Sequence, residues 1–341
     1  MTAVAQHDPD VGFFGPGSIT WRVHAEPILW FAGFRALLLQ TLHPRALAGV
    51  LQNSKFREDP WGRLIRTARF YGEVVYGTTE QARDAGARVR RIHGRLRGVD
   101  PDTHETFRID EPELLRWIYV TATESFCHTA QRAGLGLTPE EVDRYYDEQR
   151  VVAELVGLDP ATVPATAAEI EAYYAEIRPQ LRADAAAYDT VRFLAVPTLP
   201  WHLDWTPVRP LWIGVSAYAF SLLPPWARRL YGLPGLPTTD LTATLTSRAI
   251  RSAIRALPSR LLEGPLYRAA MQRIEAAARA REDETGAIPT GAIPPAAGGD
   301  ASGRARRHAA GSAKARRHTA TTANANRRRR TAAVLTTPAG R

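Results

Sequence analysis

Residues 110–126, DEPELLRWIYVTATESF, carry the pattern that decides the fold. Asp110, Glu111, Pro112 and Glu113 put acids and a proline together, the chemistry of a helix start. Beyond them Leu114, Leu115, Ile118, Ala122 and Phe126 recur at helical spacing, giving one apolar face. The reading extends in both directions. Thr138-Pro139-Glu140-Glu141 is a capping box with proline at the first helical position, predicting a helix to about Gly157. Thr166-Ala167-Ala168-Glu169 opens another that bends or ends near Pro179, and a further helix begins at Thr78 or Thr79. Residues 239–257 and 259–282 read as two helices divided by Pro258. Convincing alternating strands are absent and no repeat shows, so the expected fold class is all-α: a single multi-helix domain over residues 15–282.

With 341 residues, 45% of them hydrophobic, the chain can bury a sizeable core. Its net charge of +9 first suggests a polyanion partner, but the charge is unevenly placed. From Ala296 onward there are eleven Lys and Arg against the single acid Asp300, which leaves the body near neutrality. Residues 283–341, rich in Ala, Gly, Pro, Thr and Arg and poor in apolar bulk, are expected to be a disordered basic tail. No specific nucleic-acid partner follows from a neutral body, although the tail alone could bind an acidic polymer or anionic membrane. One cysteine, Cys127, excludes an internal disulfide framework and fits a reducing compartment. The opening MTAVAQHDPDVGFF has acids and a histidine where a signal peptide needs a basic region and an apolar run. The longest apolar runs, Pro27–Leu42 (interrupted by Arg35) and Leu211–Leu223, fall short of the ~20 residues that span a bilayer. The expectation is a soluble, cytoplasmic protein with scope for peripheral membrane contact.

VRRIHGRLRG, residues 89–98, looks like a basic patch. A helix over 79–97, at roughly 100° per residue, divides it. Val89, Leu96, Ala85, Ala82 and Ile92 then share an apolar face, with His93 at its edge and Gly86, close to it in angle, clearing space on its side. Arg90 and Arg97 flank the histidine, and Arg88, Arg91 and Arg95 lie on the outer face. An imidazole so placed suits a flat ligand such as haem, with Arg90 and Arg97 pairing its propionates. The same placement equally describes a hydrogen-bonded boundary histidine on a charged surface helix.

Other residues carry weaker signals. Arg63 and Thr67, four apart in RLIRT with Arg66 beside them and Tyr71 extending the face, fit either a solvated helix surface or a pocket for an anionic group or bound oxygen. His43 precedes Pro44 in QTLHP and marks a break between helices, with a structural role. His24, His104 and His128 have no ligand-like spacing to another histidine or carboxylate. His202 and Asp204 in PWHLDW read as loop packing, and Cys127 as a small buried residue. No phosphate-binding glycine loop, Cys/His metal cluster or nucleophile elbow is present.

The order of these features is more specific than any one of them. LLLQTLHPRALAGVLQNS, DPWGRLIRTARFYGEVVYGTTEQARDAGARVRRIHGRLRG, DEPELLRWIYVTATESF and GLTPEEVDRYYDEQRVVAELVGL follow one another over residues 37–158. The chain resembles the oxygenase family that includes the MpaB-type oxygenase of the fungal mycophenolic-acid pathway and the bacterial latex-clearing rubber oxygenases. The resemblance covers roughly residues 15–280. It implies an all-α fold enclosing a b-type haem, with His93 as the proximal iron ligand and Arg63 and Thr67 lining the haem pocket as catalytic residues. Where the rubber enzymes have a lysine able to occupy the distal iron site, this chain has Arg66, a poor ligand because it stays protonated. No match is found for their acid/base carboxylate, so cleavage of rubber-like alkenes is not carried over. The expected function is a haem-dependent oxygenase in which Arg63, Arg66 and Thr67 polarise O2 against a hydrophobic, lipid- or isoprenoid-like substrate. The alternative is a non-catalytic lipid- or haem-binding protein that keeps the fold.

Overall fold

The computed structural model describes residues 10–196, 208–258 and 262–286, all within one compact unit, Met1–Ala287. The described residues form thirteen α-helices and one small hairpin. Helices α1 (Ile19–His24), α2 (Leu29–Gln40), α3 (Pro44–Asn53), α4 (Pro60–Tyr76) and α5 (Thr79–His93) come first. Strands β1 (Arg97–Val99) and β2 (Thr106–Arg108) precede α6 (Pro112–Arg132) and α7 (Pro139–Val156). Then follow α8 (Ala167–Ile177), α9 (Ala185–Ala195), α10 (Val208–Ser221), α11 (Pro225–Leu230), α12 (Pro237–Arg255) and α13 (Pro265–Gly286). The tail from residue 287, the His202–Asp204 pair and residues 259–261 lie outside the described residues.

α6 is the axis of the core. It is buried all round, from Tyr119 through Cys127 without interruption, and not only along the predicted apolar stripe. Ile118, expected on that stripe, is only half-buried. α2 runs against α6 as the most extensive helix pair, and α7 packs on it from another side. Trp117, Val120 and Cys127 are fully enclosed. Each fully buried large apolar side chain contributes about 1.5–3 kcal/mol relative to exposure.

Encircling α6 also encloses Thr121, Thr123, Glu124 and Ser125, polar groups that need partners indoors. Arg35 of α2 answers Glu124. Its guanidinium makes a two-pronged ion pair with the Glu124 carboxylate, with Nη2 at 2.9 Å from Oε1, and donates to Ser125 Oγ at 2.6 Å. Its Nε donates to the Leu222 carbonyl at 2.8 Å. The arginine that broke an apolar run in the sequence is therefore fully buried.

The predicted caps form. Thr138 with Glu141 and Thr78 with Gln81 each close a capping box, and Gly157 ends α7 in the left-handed conformation at φ 99°. His43 caps α3, its Nδ1 accepting from Ala46 N–H at 3.4 Å, with its ring 6.1 Å from that of Trp117. That is the structural role its place before Pro44 suggested.

Two expectations change. α5 stops at His93, and Gly94 turns the chain into the antiparallel pair Arg97↔Arg108, Gly98↔Phe107 and Val99↔Thr106. Gly98 lets the Phe107 ring lie flat against the backbone, where an added Cβ would sit 2.5 Å from it. Arg97 is thus on a strand, not on the helix face assumed for it. Gly86, expected to clear room beside His93, instead admits the α7 backbone: a Cβ there would meet Leu155 O at 2.5 Å. Among the described residues, no helix is long and apolar enough to cross a membrane.

Candidate functional site

The candidate residues cluster where α4 and α5 leave the body. Asp59 caps α4, its Oδ1 accepting from Gly62 N–H at 2.8 Å. Its Oδ2 holds Arg66 Nη1 at 3.2 Å in an open ion pair, with Arg66 about two-thirds exposed. Ile65, Thr67, Ala68 and Arg69 are exposed as well, so this turn of α4 meets solvent on every side. About one turn later the helix re-enters the core: Tyr71 stacks on His24 at 6.0 Å and meets Phe126 edge-on at 4.9 Å. The face written Arg63–Thr67–Tyr71 in the sequence therefore passes from half-buried through solvent to core.

Arg63 is the half-buried member. Nη1 donates to Ser54 Oγ at 3.1 Å, and the guanidinium lies over the Phe56 ring at 5.6 Å. Burial first, and the charge of Arg66 second, hold its proton affinity below that of a free arginine. Arg63 also borders a cavity of about 20 Å³ between α2, α3, α6 and α9, space for one water-sized molecule. Leu37, Val50, Ile118 and Leu194 are among its apolar lining, and Gln40 and Thr190 are polar members. Thr190 Oγ1 is buried there without a hydrogen-bond partner. Thr190 could not be singled out from sequence, because no motif surrounds it, and Gln40 is passed over beside His43 in QTLHP. Thr67 Oγ1 donates to Arg63 O at 3.0 Å, leaving the hydroxyl oxygen free only to accept.

His93 closes α5. Burial depresses its proton affinity, Asp110 opposes that, and Arg63 adds to it, so the net shift is downward. The imidazole is neutral at neutral pH, the form that can bind a metal. Nδ1 is buried and has no hydrogen-bond partner, while Nε2 is not among the enclosed, unpartnered atoms. Asp110, the acid whose charge acts on His93, is engaged by Arg108 at 2.8 and 2.6 Å. Hydrogen bonding from Arg108 outweighs burial and keeps this carboxyl below its usual range.

The other two arginines are occupied elsewhere. Arg90 Nη1 donates to Leu155 O, joining α5 to the end of α7. Arg97 Nη1 donates to Gly94 O at 2.9 Å and Leu96 O at 2.8 Å, closing the turn after α5. The structure thus leaves His93 within reach of the Arg63 charge, sets Arg66 and Thr67 on an open turn of α4, and gives Arg90 and Arg97 peptide carbonyl partners. Ile92, assigned to the apolar face, is 52% exposed. Among the described residues no group of three or more His, Cys, Asp or Glu side chains is placed to hold a bare metal ion.

These elements define an all-α protein built around one long buried helix. Comparison with protein families takes the assignment further. The chain belongs to the family described as ER-bound oxygenase mpaB/B'/Rubber oxygenase, catalytic domain, which matches residues 21–256. That span takes in every candidate from Arg63 to Arg97. Comparison with curated proteins and with solved structures returned no match.

Proposed function

We propose that the protein is a haem-dependent oxygenase acting on a hydrophobic, lipid- or isoprenoid-like substrate with O2. The observation that carries the reading is the His93 imidazole: neutral, half-buried and with Nδ1 enclosed and unpartnered, in a chain of an oxygenase catalytic-domain family. A single histidine cannot retain bare iron, so the donor set fits a cofactor that brings its own nitrogen ligands. Haem bound through His93 would supply the iron chemistry that activates dioxygen.

The chain's own residues have separable tasks. His93 would hold the iron as a neutral imidazole. Arg63, fixed by Ser54 and Phe56, presents a permanent positive charge toward a polar ligand atom. Arg66 is free to swing from Asp59, because an exposed ion pair is worth only about 0–1 kcal/mol. Thr67 can accept a hydrogen bond in place, and donating one means giving up its bond to Arg63 O, about 1 kcal/mol. Arg90 and Arg97 reach a propionate only by releasing their carbonyls, which makes them the weakest members of the proposed set.

Oxygen uptake by the haem-supplied protein with a panel of unsaturated lipids tests the reading. Uptake with at least one lipid, lowered about tenfold or more in Arg63→Met, is expected. Binding of lipid with no oxygen consumed would remove the enzyme and leave the second reading, a non-catalytic lipid- or haem-binding protein. One observation favours that second reading: Asp110, the acid that faces His93, is ionised and clasped by Arg108, so it offers no proton.

A further inference from the structure

A second opening lies on the other side of α9 from Arg63. Val191 and Ala195 of α9 face a cleft of about 440 Å³, while Thr190 and Leu194 face the small cavity at Arg63. α2 divides in the same way, with Phe34 and Leu38 toward the cleft and Leu37 and Gln40 toward the cavity. The cleft is within the range of about 300–1,000 Å³ typical of small-molecule sites. Its walls are almost wholly apolar, and Ile213 and Leu233 at its edge are 42% and 48% exposed. An apolar ligand chain would gain by covering them.

The cleft also contains one charged group, Arg228 of α11, which is only 2% exposed. Its Nη1 donates to Ser221 O at 3.0 Å and Leu223 O at 2.9 Å, and both terminal nitrogens reach Asp240 of α12, at 3.1 and 2.9 Å. Its Nε is buried and has no partner. Asp240 must also serve Arg132 of α6, whose Nη2 lies 2.9 Å from Oδ1 and whose Nη1 is likewise buried and unpartnered. Two guanidiniums therefore share one carboxylate, and one positive charge is left over with two N–H donors unused. His128, one turn before Arg132, adds no charge, since burial pushes its imidazole down to about 4. Buried charge without a counter-ion is costly, and a monoanion with acceptor oxygens would complete this group.

We infer that this cleft is a binding site for a long-chain carboxylic acid, its chain along α2, α9 and α10 and its carboxylate at Arg228, the member of the Arg228–Arg132–Asp240 cluster that lines the cleft. The site stands whether or not the acid is oxidised, and so goes beyond the oxygenase reading.

Titration calorimetry on the full chain, without added haem, tests the site with palmitoleic acid below its micelle concentration and with the matching alcohol. Saturable one-to-one binding of the acid is expected, at least tenfold tighter than of the alcohol. Ala217→Trp fills the cleft from an exposed position on its wall, and is expected to weaken the acid at least tenfold with an unchanged melting temperature. Three results would each overturn the inference: no saturable binding of the acid, equal affinity for the alcohol, or undiminished binding by the Trp variant. Acid binding without oxygen uptake keeps this site and sinks the oxygenase. Uptake with uncharged lipids and no acid binding does the reverse.

Discussion

Arg35 and His93 both hold polar groups in desolvated places, yet their surroundings differ. Around Arg35, Glu124, Ser125 and the Leu222 carbonyl take up the guanidinium, and Tyr174 donates to Glu124 Oε2 at 3.2 Å. Around His93 a ring nitrogen is enclosed with nothing to bond, and the facing turn of α4 is open to solvent. The first arrangement completes itself and holds α2 to α6. The second is incomplete as protein, and such incompleteness is tolerated where a ligand supplies the missing interactions. Buried polarity alone therefore marks no functional site in this molecule, and neither does a missing partner, since Thr123 Oγ1, His128 Nε2 and Thr129 Oγ1 of α6 lack one too; His93 is set apart by standing at the margin of the core beside the open turn of α4.

The sharpest way to break this contrast is to attack the complete side. Glu124→Ala strands the Arg35 charge in the core, and is expected to cost about 3–5 kcal/mol in urea unfolding. A loss below 1 kcal/mol would mean the pair does not hold the helices together. Acidity probes the same side. Burial raises the Glu124 carboxyl, but Arg35, His128 and Tyr174 outweigh it and leave the carboxyl lowered, so its stabilisation is present above the unfolded value and lost as pH falls. His24, buried among Tyr71, Phe126 and Tyr145, has its imidazole pushed from 6.5 down to about 3. The unfolded chain takes up its proton first, so this contribution is complete above about 6.5 and erodes between there and about 3. His24→Phe should flatten that part of a melting-temperature profile; an unchanged acid limb would contradict the burial.

Smaller effects belong to the open side. Gly86→Ala forces a methyl against Leu155 O and should cost about 1–3 kcal/mol, because there the α5–α7 contact, not a ligand, occupies the space. Thr78→Ala removes the α5 cap at about 1 kcal/mol by thermal or urea unfolding. Thr67→Ala should change stability by less than about 0.5 kcal/mol. If oxygen uptake nonetheless falls about tenfold, the residue acts on the ligand; unchanged uptake takes it out of the site.

Local chemistry made much of this fold legible. Thr138 with Glu141 and Gly157 bounded α7, and His43 before Pro44 marked the α2–α3 joint, because capping and proline effects act within a few residues. Helical spacing found α6 but not its complete burial, since the Arg35–Glu124 pairing that makes it possible joins residues 89 apart. Spacing also carried α5 too far: Gly94 and the Gly98–Phe107 contact end it, and only the second strand reveals the hairpin. In the site, His93 at the margin of the core was readable from periodicity. Gly86 was misread because its neighbour, Leu155, is distant in sequence. Arg228, Arg132 and Asp240 come from three helices and carry no motif, so nothing in the order of residues announced their cleft.

Absorption spectroscopy of the protein purified with haem supplied, beside His93→Ala prepared identically, tests the central claim most directly. The ring carries no protein hydrogen bond at Nδ1, so the variant should fold with little change in melting temperature. The prediction is a haem spectrum in the parent protein that is lost or strongly shifted in the variant. Full haem retention with an unchanged spectrum in His93→Ala would contradict it.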